Sequence, residues 1–192
     1  MLAYLVLLAA ALSRLLPHAL HLVSWNFTAL GGGLLFFGSR MRNSGSARAA
    51  AAKLAAALAL LIATDYYLTV YVYQYPFHAA DYLVTWLWYA AACLLGMGLL
   101  TRPSFLRAAA ATLASATSFF LLSNFAFWAS NWQMYPHTVS GLTACLAMGL
   151  PFYRNDLAST ALTLGVLFGL PALAHKIVQA LHAAQHNNLP LA

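Results

Sequence analysis

The stretch LAAALALLIATDYYLTVYVY, residues 54–73, is long and apolar enough to cross a bilayer as one helix. It carries a single charge, Asp65. Working outward, residues 2–16, 82–100, 108–128 and 157–174 read the same way. Residues 27–38 form a sixth apolar segment, too short to span untilted. Its Gly31-Gly32-Gly33 run lets a neighbouring backbone or a ligand come close. Residues 139–152 are apolar but also short, and read as a re-entrant piece packed inside the bundle. The expected fold is all-α: a polytopic six-helix transmembrane bundle with short or re-entrant segments.

Composition agrees. The chain has 192 residues, 63% hydrophobic and 6% charged. Soluble domains carry about 25% charged residues, so a polar shell is excluded, as are disorder and coiled coil. Cys93 and Cys145 sit in apolar runs, which suits packing rather than a disulfide framework or a zinc site.

The 9 Lys+Arg against 3 acidic residues do not point to nucleic acid, because their placement has a topological reading. Arg40, Arg42, Arg48 and Lys53 lie between the second and third helices, Arg102 and Arg107 between the fourth and fifth, and Lys176 after the sixth. These are alternate connections, so they share one side, and the positive-inside rule makes that side cytoplasmic. Both termini are then expected inside a bacterial cytoplasmic (inner) membrane. Residues 1–175 form the membrane domain and residues 176–192 a polar cytoplasmic tail. The first apolar segment lacks a basic leader, and Arg14 stands where a signal peptidase needs small residues, so it reads as a retained helix.

Topology leaves a second set of residues unexplained. Arg14 and Arg154 fall on the outer side, with Trp25, Asn26, Trp132 and Tyr135. An interfacial aromatic belt with snorkelling arginines accounts for many of them. Asp65 within a span needs a partner or a wet cavity: a structural pairing with an arginine or hydroxyl, or a ligand or proton site. Asn124 and Trp128, four apart, are either interhelical glue or ligand contacts. PFYRND, residues 151–156, reads as a helix start, with Asn155 or Asp156 as the cap and Arg154 paired to Asp156 or holding an anion. If the outer helix ends converge, these residues form one outward-facing pocket for a small molecule with an acidic or amide edge.

No HExxH, GxSxG, phosphate-binding loop or paired glutamate is present, so no catalytic residue is assigned. His18, His21, His78 and His137 fall on the outer side without the spacing of a metal motif, and are weak metal candidates. No cofactor is indicated.

RLLPH at 14–18, NFTALGGGLLFFGSR at 26–40, SFFLLSNFAFW at 118–128 and YPHTVSGL…GLPFYRNDL at 135–157 resemble an uncharacterised family of bacterial integral membrane proteins. More distantly, the layout is similar to the substrate-binding S components of energy-coupling factor (ECF) vitamin transporters. That resemblance implies six helices, internal termini, an outward-opening pocket, and partners comprising a transmembrane coupling protein and ATPases. Of the small-residue stripe expected on the first helix only Ala9 and Ser13 are present, and no vitamin-specific signature is visible. Three functional readings follow: a small-molecule-binding uptake subunit, a structural or accessory subunit of a larger membrane complex, and a metal-handling membrane protein.

Overall fold

A computed structural model describes residues 1–16, 27–131 and 133–187. The described residues are mostly helical, joined by short turns, and none of them forms a strand. Helix α1 spans Leu2–Leu12 and tightens into a 3-10 turn at Ser13–Leu15. Helix α2 spans Leu30–Met41 and α3 spans Ala47–Tyr67, ending in a π turn at Leu68–Val72. Helix α4 covers Leu83–Leu99, α5 Phe105–Ser130 and α6 Val139–Leu164. A π turn at Gly165–Gly169 joins α6 to α7, Leu170–Asn187.

The helix starts have local causes. Ser46, Ser104 and Thr138 each adopt extended backbone, and each side chain accepts a hydrogen bond from the N–H three residues on. That satisfies one of the orphan donors of a first turn. Gly45, at φ 78°, makes the left-handed turn that sends the chain from α2 into α3.

Four described helical stretches are long and apolar enough to cross a membrane: Ala47–Val72, Ala79–Leu99, Phe105–Ser130 and Val139–His182. Their apolar side chains face mostly outward, as Leu87, Phe105, Leu113 and Leu162 do. Water would penalise such a surface and lipid does not. The first apolar stretch, Leu2–Leu15, is about 21 Å long at 1.5 Å per residue.

Helix α2 is the hub. At 12 residues it is about 18 Å long, too short to span, and every residue from Leu30 to Met41 except Arg40 is buried. It packs most heavily against α4, and also against α1 and α6. Glycines set these distances. A Cβ at Gly38 would run into the Cys93 backbone of α4, and a Cβ at Gly96 into the Leu35 backbone of α2. The two helices therefore cross backbone to backbone, the close approach that small residues allow where lipid supplies no hydrophobic drive. Gly31 and Gly32 face Thr160 and Thr163 of α6, and Gly33 faces Ala10 of α1. The run 31–33 thus serves helix packing. Cys93 and Cys145 are both buried free thiols.

Two local readings are corrected. Residues 139–152 are not a separate re-entrant piece, and PFYRND does not begin a helix. Both lie inside α6, which runs unbroken through Pro151. Pro151 removes only its own N–H, and in a bundle the freed carbonyl one turn earlier is tolerated. The true start is Thr138, whose Oγ1 accepts from Gly141 N at 3.1 Å. From Val139 to His182 the helical path is 44 residues, about 66 Å, more than twice a hydrocarbon core. Its last part, including Lys176, therefore continues the helix beyond the apolar bundle.

Because Gly38 and Gly96 lie against backbone rather than flexible side-chain ends, G38A and G96A should each destabilise the protein by about 1–3 kcal/mol. Gly98 has open space around it within α4, and G98A should leave stability unchanged or raise it by up to about 1 kcal/mol. Denaturant unfolding in detergent, followed by tryptophan fluorescence, checks this; equal stability of G96A and G98A would contradict the crossing.

Candidate functional site

Three groups of polar residues emerge; the first stands apart, and the second and third adjoin along α5. The first is built on Asp65, which α3 buries to 3% exposure. Arg14, just past the end of α1, forms an ion pair with it through Nη1 and Oδ1. The same nitrogen lies 3.1 Å from Tyr89 Oη, and Nη2 donates to Thr64 Oγ1. Tyr89 Oη donates to Asp65 Oδ1 at 3.2 Å, and Trp86 Nε1 to Oδ2 at 2.9 Å. Arg14 Nε donates to Ala11 O at 3.3 Å. Each charged group is thus hydrogen-bonded as well as paired, which a buried ion pair requires to offset its lost hydration.

Local sequence brings these partners together. Trp86 and Tyr89 are three apart, so they share a face of α4, and Thr64 adjoins Asp65 on α3. Next to Arg14, Ser13 Oγ donates to Ala10 O at 2.7 Å and accepts from Ala29 N at 2.8 Å. That second bond ties the end of α1 to the start of α2. One turn above Asp65, Thr69 Oγ1 donates to the Asp65 carbonyl at 2.8 Å and lies 2.5 Å from Tyr82 Oη. Phe77, Tyr82 and Trp86 stack beside it, with centroids 5.1–6.4 Å apart.

The second group lines a cavity of about 280 Å³ between α5 and α6. Its walls are Phe119, Phe120, Phe127 and Phe152, and its polar groups are Ser123, Asn124, Tyr153 and Asp156. Gly149 forms part of the wall, because a Cβ there would meet the Asn124 amide. Asn124 Nδ2 donates to Phe120 O at 2.7 Å, and Cys145 Sγ lies 3.5 Å from Asn124 O. One of the two Nδ2 hydrogens remains uncommitted among the described residues. Tyr153 Oη is 3.0 Å from Thr117 Oγ1, and its ring lies 5.0 Å from Phe120. Asp156 is half-buried, and among the described residues no cation pairs with it. Its Oδ1 lies 3.6 Å from where a Gly31 Cβ would sit, so the bare first turn of α2 is its neighbour. A carboxylate suits that end of a helix.

The third group closes the turn between α5 and α6. Trp128 Nε1 donates to Pro136 O at 3.0 Å, and His137 Nε2 lies 3.1 Å from Trp128 O. The Trp128 and His137 rings are 5.0 Å apart, and Phe127 meets Tyr135 edge-on at 6.2 Å.

The sequence-derived site therefore divides. Arg14 joins Asp65, Asn124 joins Asp156, and Trp128 and Tyr135 belong to the turn. Neither Arg14 nor Arg154 lines the cavity. Arg154 is exposed on α6 and makes no ion pair with Asp156 among the described residues. Two positions apart on one continuous helix, those side chains point to nearly opposite faces. Asn155 is half-buried and adjoins the cavity residues in sequence. Trp25, Asn26 and Trp132 lie outside the described residues, as do His18 and His21. His78 and His137 are exposed, and no group of three metal-ligating side chains occurs among the described residues.

Sequence reasoning missed Thr64, Trp86 and Tyr89 around the ion pair, and Phe119, Phe120, Phe152 and Tyr153 around the cavity. For Trp86 and Tyr89 the signal was available: two donors three apart on a span, facing a span with an unpaired carboxylate. The cavity's phenylalanines carry no signal that separates them from lipid-facing ones.

An all-α bundle whose long helices are apolar enough to cross a bilayer and expose large apolar side chains along their lengths defines a polytopic membrane protein. The chain belongs to a family of unknown function, DUF6580, whose model matches residues 1–182. No curated protein and no solved structure matches it.

The ion pair predicts a non-additive pair of mutants. R14Q or D65N alone strands a buried charge, and each should cost about 3–5 kcal/mol. The double variant R14Q/D65N removes both charges and should cost clearly less than the sum. A double-mutant cycle measured by denaturant unfolding in detergent tests this; additive losses would contradict the pairing.

Proposed function

We propose that this protein binds a small molecule in the cavity between α5 and α6. The observation that carries the reading is Asp156: a half-buried carboxylate without an ion-pair partner among the described residues, lining a cavity whose remaining walls are largely aromatic. Thr160 beside it supplies a hydroxyl but no counter-charge, and an intramembrane carboxylate without a counter-charge is costly, so the site suits a cation or N–H donor from outside the chain. The cavity accepts a compact ligand with a flat apolar part against Phe119, Phe120 and Phe152. With Asp156 as the one charged group in its lining, that ligand presents a positive charge or N–H donors to the carboxylate, and an acceptor to Asn124. This favours a donor-rich edge over the acidic edge that Arg14 and Arg154 suggest from sequence.

The wider role we propose is that of an S-component-like subunit of an uptake transporter in a bacterial cytoplasmic membrane. The basic connections would face the cytoplasm and the α5–α6 turn the outside, with residues 176–192 as a cytoplasmic tail. The sequence has no nucleotide-binding loop, so energy for uptake would come from partner ATPases through a transmembrane coupling protein. The polar lining of the cavity supports the binding part of this proposal, and the distribution of Lys and Arg supports the orientation.

Native mass spectrometry of protein purified in mild detergent, followed by extraction and identification of any retained small molecule, tests the proposal. The parent protein should retain a ligand. D156A should lose it while melting within a few degrees of the parent, and N124A should weaken retention about tenfold, the scale of one hydrogen bond to a charged or buried group. Retention unchanged in D156A would place the ligand elsewhere. Pull-down that recovers no ATPase would remove the transporter role while leaving the cavity's binding role standing.

A further inference from the structure

At the end of the bundle remote from Trp128, a second cavity of about 330 Å³ is lined by Arg42, Arg102 and Arg107, with Gly98, Leu99 and Thr101. All three arginines are solvent-exposed along its walls. One hydrogen bond is made among them: Arg107 Nη1 donates to Arg102 O at 3.2 Å. The nearby Arg40 is differently placed, 4.9 Å over the Phe36 ring.

No acidic side chain answers these charges. The chain's three acidic residues are Asp65, Asp81 and Asp156. Asp65 is paired with Arg14, and Asp156 lies in the α5–α6 cavity. Asp81 is exposed in the turn before α4, at the opposite end of that helix from Gly98 and Leu99. Part of the arrangement has an internal cause, since Arg42 follows the last turn of α2 and offsets its terminal carbonyls. Arg107 does not. It is the third residue of α5, with its N–H on the Ser104 cap, and a cation in a first turn opposes the helix dipole. An anion in the cavity answers all three arginines and that helix start together.

A third cavity, of about 560 Å³, adjoins the second through Arg42, which lines both. Its other walls are apolar or small, including Ala50, Ala51 and Leu54 of α3, Leu94 and Met97 of α4, and Met41 of α2. A basic cavity thus continues into an apolar cleft between two membrane helices, with one arginine at the junction. That is the chemistry of a phosphate headgroup attached to an acyl chain. We propose that this end of the protein is a binding site for an anionic phospholipid. The phosphate sits among Arg42, Arg102 and Arg107, and one acyl chain lies along the α3–α4 cleft. The site is independent of the α5–α6 cavity and of its ligand.

The test uses the full chain in a neutral detergent and fluorescence anisotropy of a short-chain phosphatidylglycerol labelled on one acyl chain. A phosphatidylcholine probe with the same chains is the comparison. Phosphatidylglycerol should bind at least about tenfold more tightly than phosphatidylcholine, and R102Q/R107Q should abolish that preference. R42Q should reduce it on its own. R48Q, which removes an equal charge outside the cavity, should not. A51W fills the cleft and should weaken binding of both probes. Each variant is first checked to melt like the parent, and R42Q serves if R102Q/R107Q does not. An unchanged preference in R102Q/R107Q, or an equal loss in R48Q, would overturn the site. Displacement of phosphatidylglycerol by inorganic phosphate, with no effect of A51W, would show a free-anion site and overturn the lipid.

Discussion

A charge inside a membrane helix must find its opposite, and Asp65 finds Arg14. In the bundle interior water contributes little, so the pair is held by its mutual attraction and by the donors around it: Tyr89, Trp86 and Thr64. The requirement propagates. Arg14 fixes the end of α1 against α3 and α4, and Ser13 beside it anchors the start of α2 through Ala29 N. Helix α2 is too short to be positioned by the membrane itself. Its placement depends on that anchor and on the glycine crossings with α4, α1 and α6.

The same pairing decides where function can reside. Arg14 and Asp65, the two residues that look most like a site in the sequence, neutralise one another, and among the described residues neither is left with an unpaired charge for a ligand. What remains is Asp156, on the opposite side of α2, beside a cavity that the α5–α6 pair leaves open. Structural and ligand-directed polarity are thus divided between two faces of one central helix. The excess of arginine falls at the end away from both, where none of the three acidic side chains lies.

Much of this was legible in the residues. The long spans follow from apolar length, and the need of Asp65 for an interior partner follows from the cost of a charge in lipid. The glycine run at 31–33 marks a close approach, of a backbone or of a ligand, because residues without a side chain permit it. The continuity of α6 was not legible, because Pro151 breaks helices in water far more readily than in a bundle, and PFYRND carries residues that cap helices elsewhere. The convergence of Arg14 with Arg154 failed for a related reason. Once α6 is continuous, Arg154 is a mid-helix residue facing outward rather than a residue at a helix mouth. The identity of the cavity walls depends on which faces of α5 and α6 meet, and phenylalanines occur on every face of both.

The central claim is that the Arg14–Asp65 pair is structural and that the vacant chemistry lies at Asp156. An electron cryo-microscopy map of the protein, purified with its native ligand in mild detergent, tests this most directly. The account predicts continuous density joining Arg14, Asp65, Trp86 and Tyr89, and separate ligand density against Asp156 and Asn124. Ligand density bridging Arg14 and Asp65, with the α5–α6 cavity filled by side chains, would contradict it.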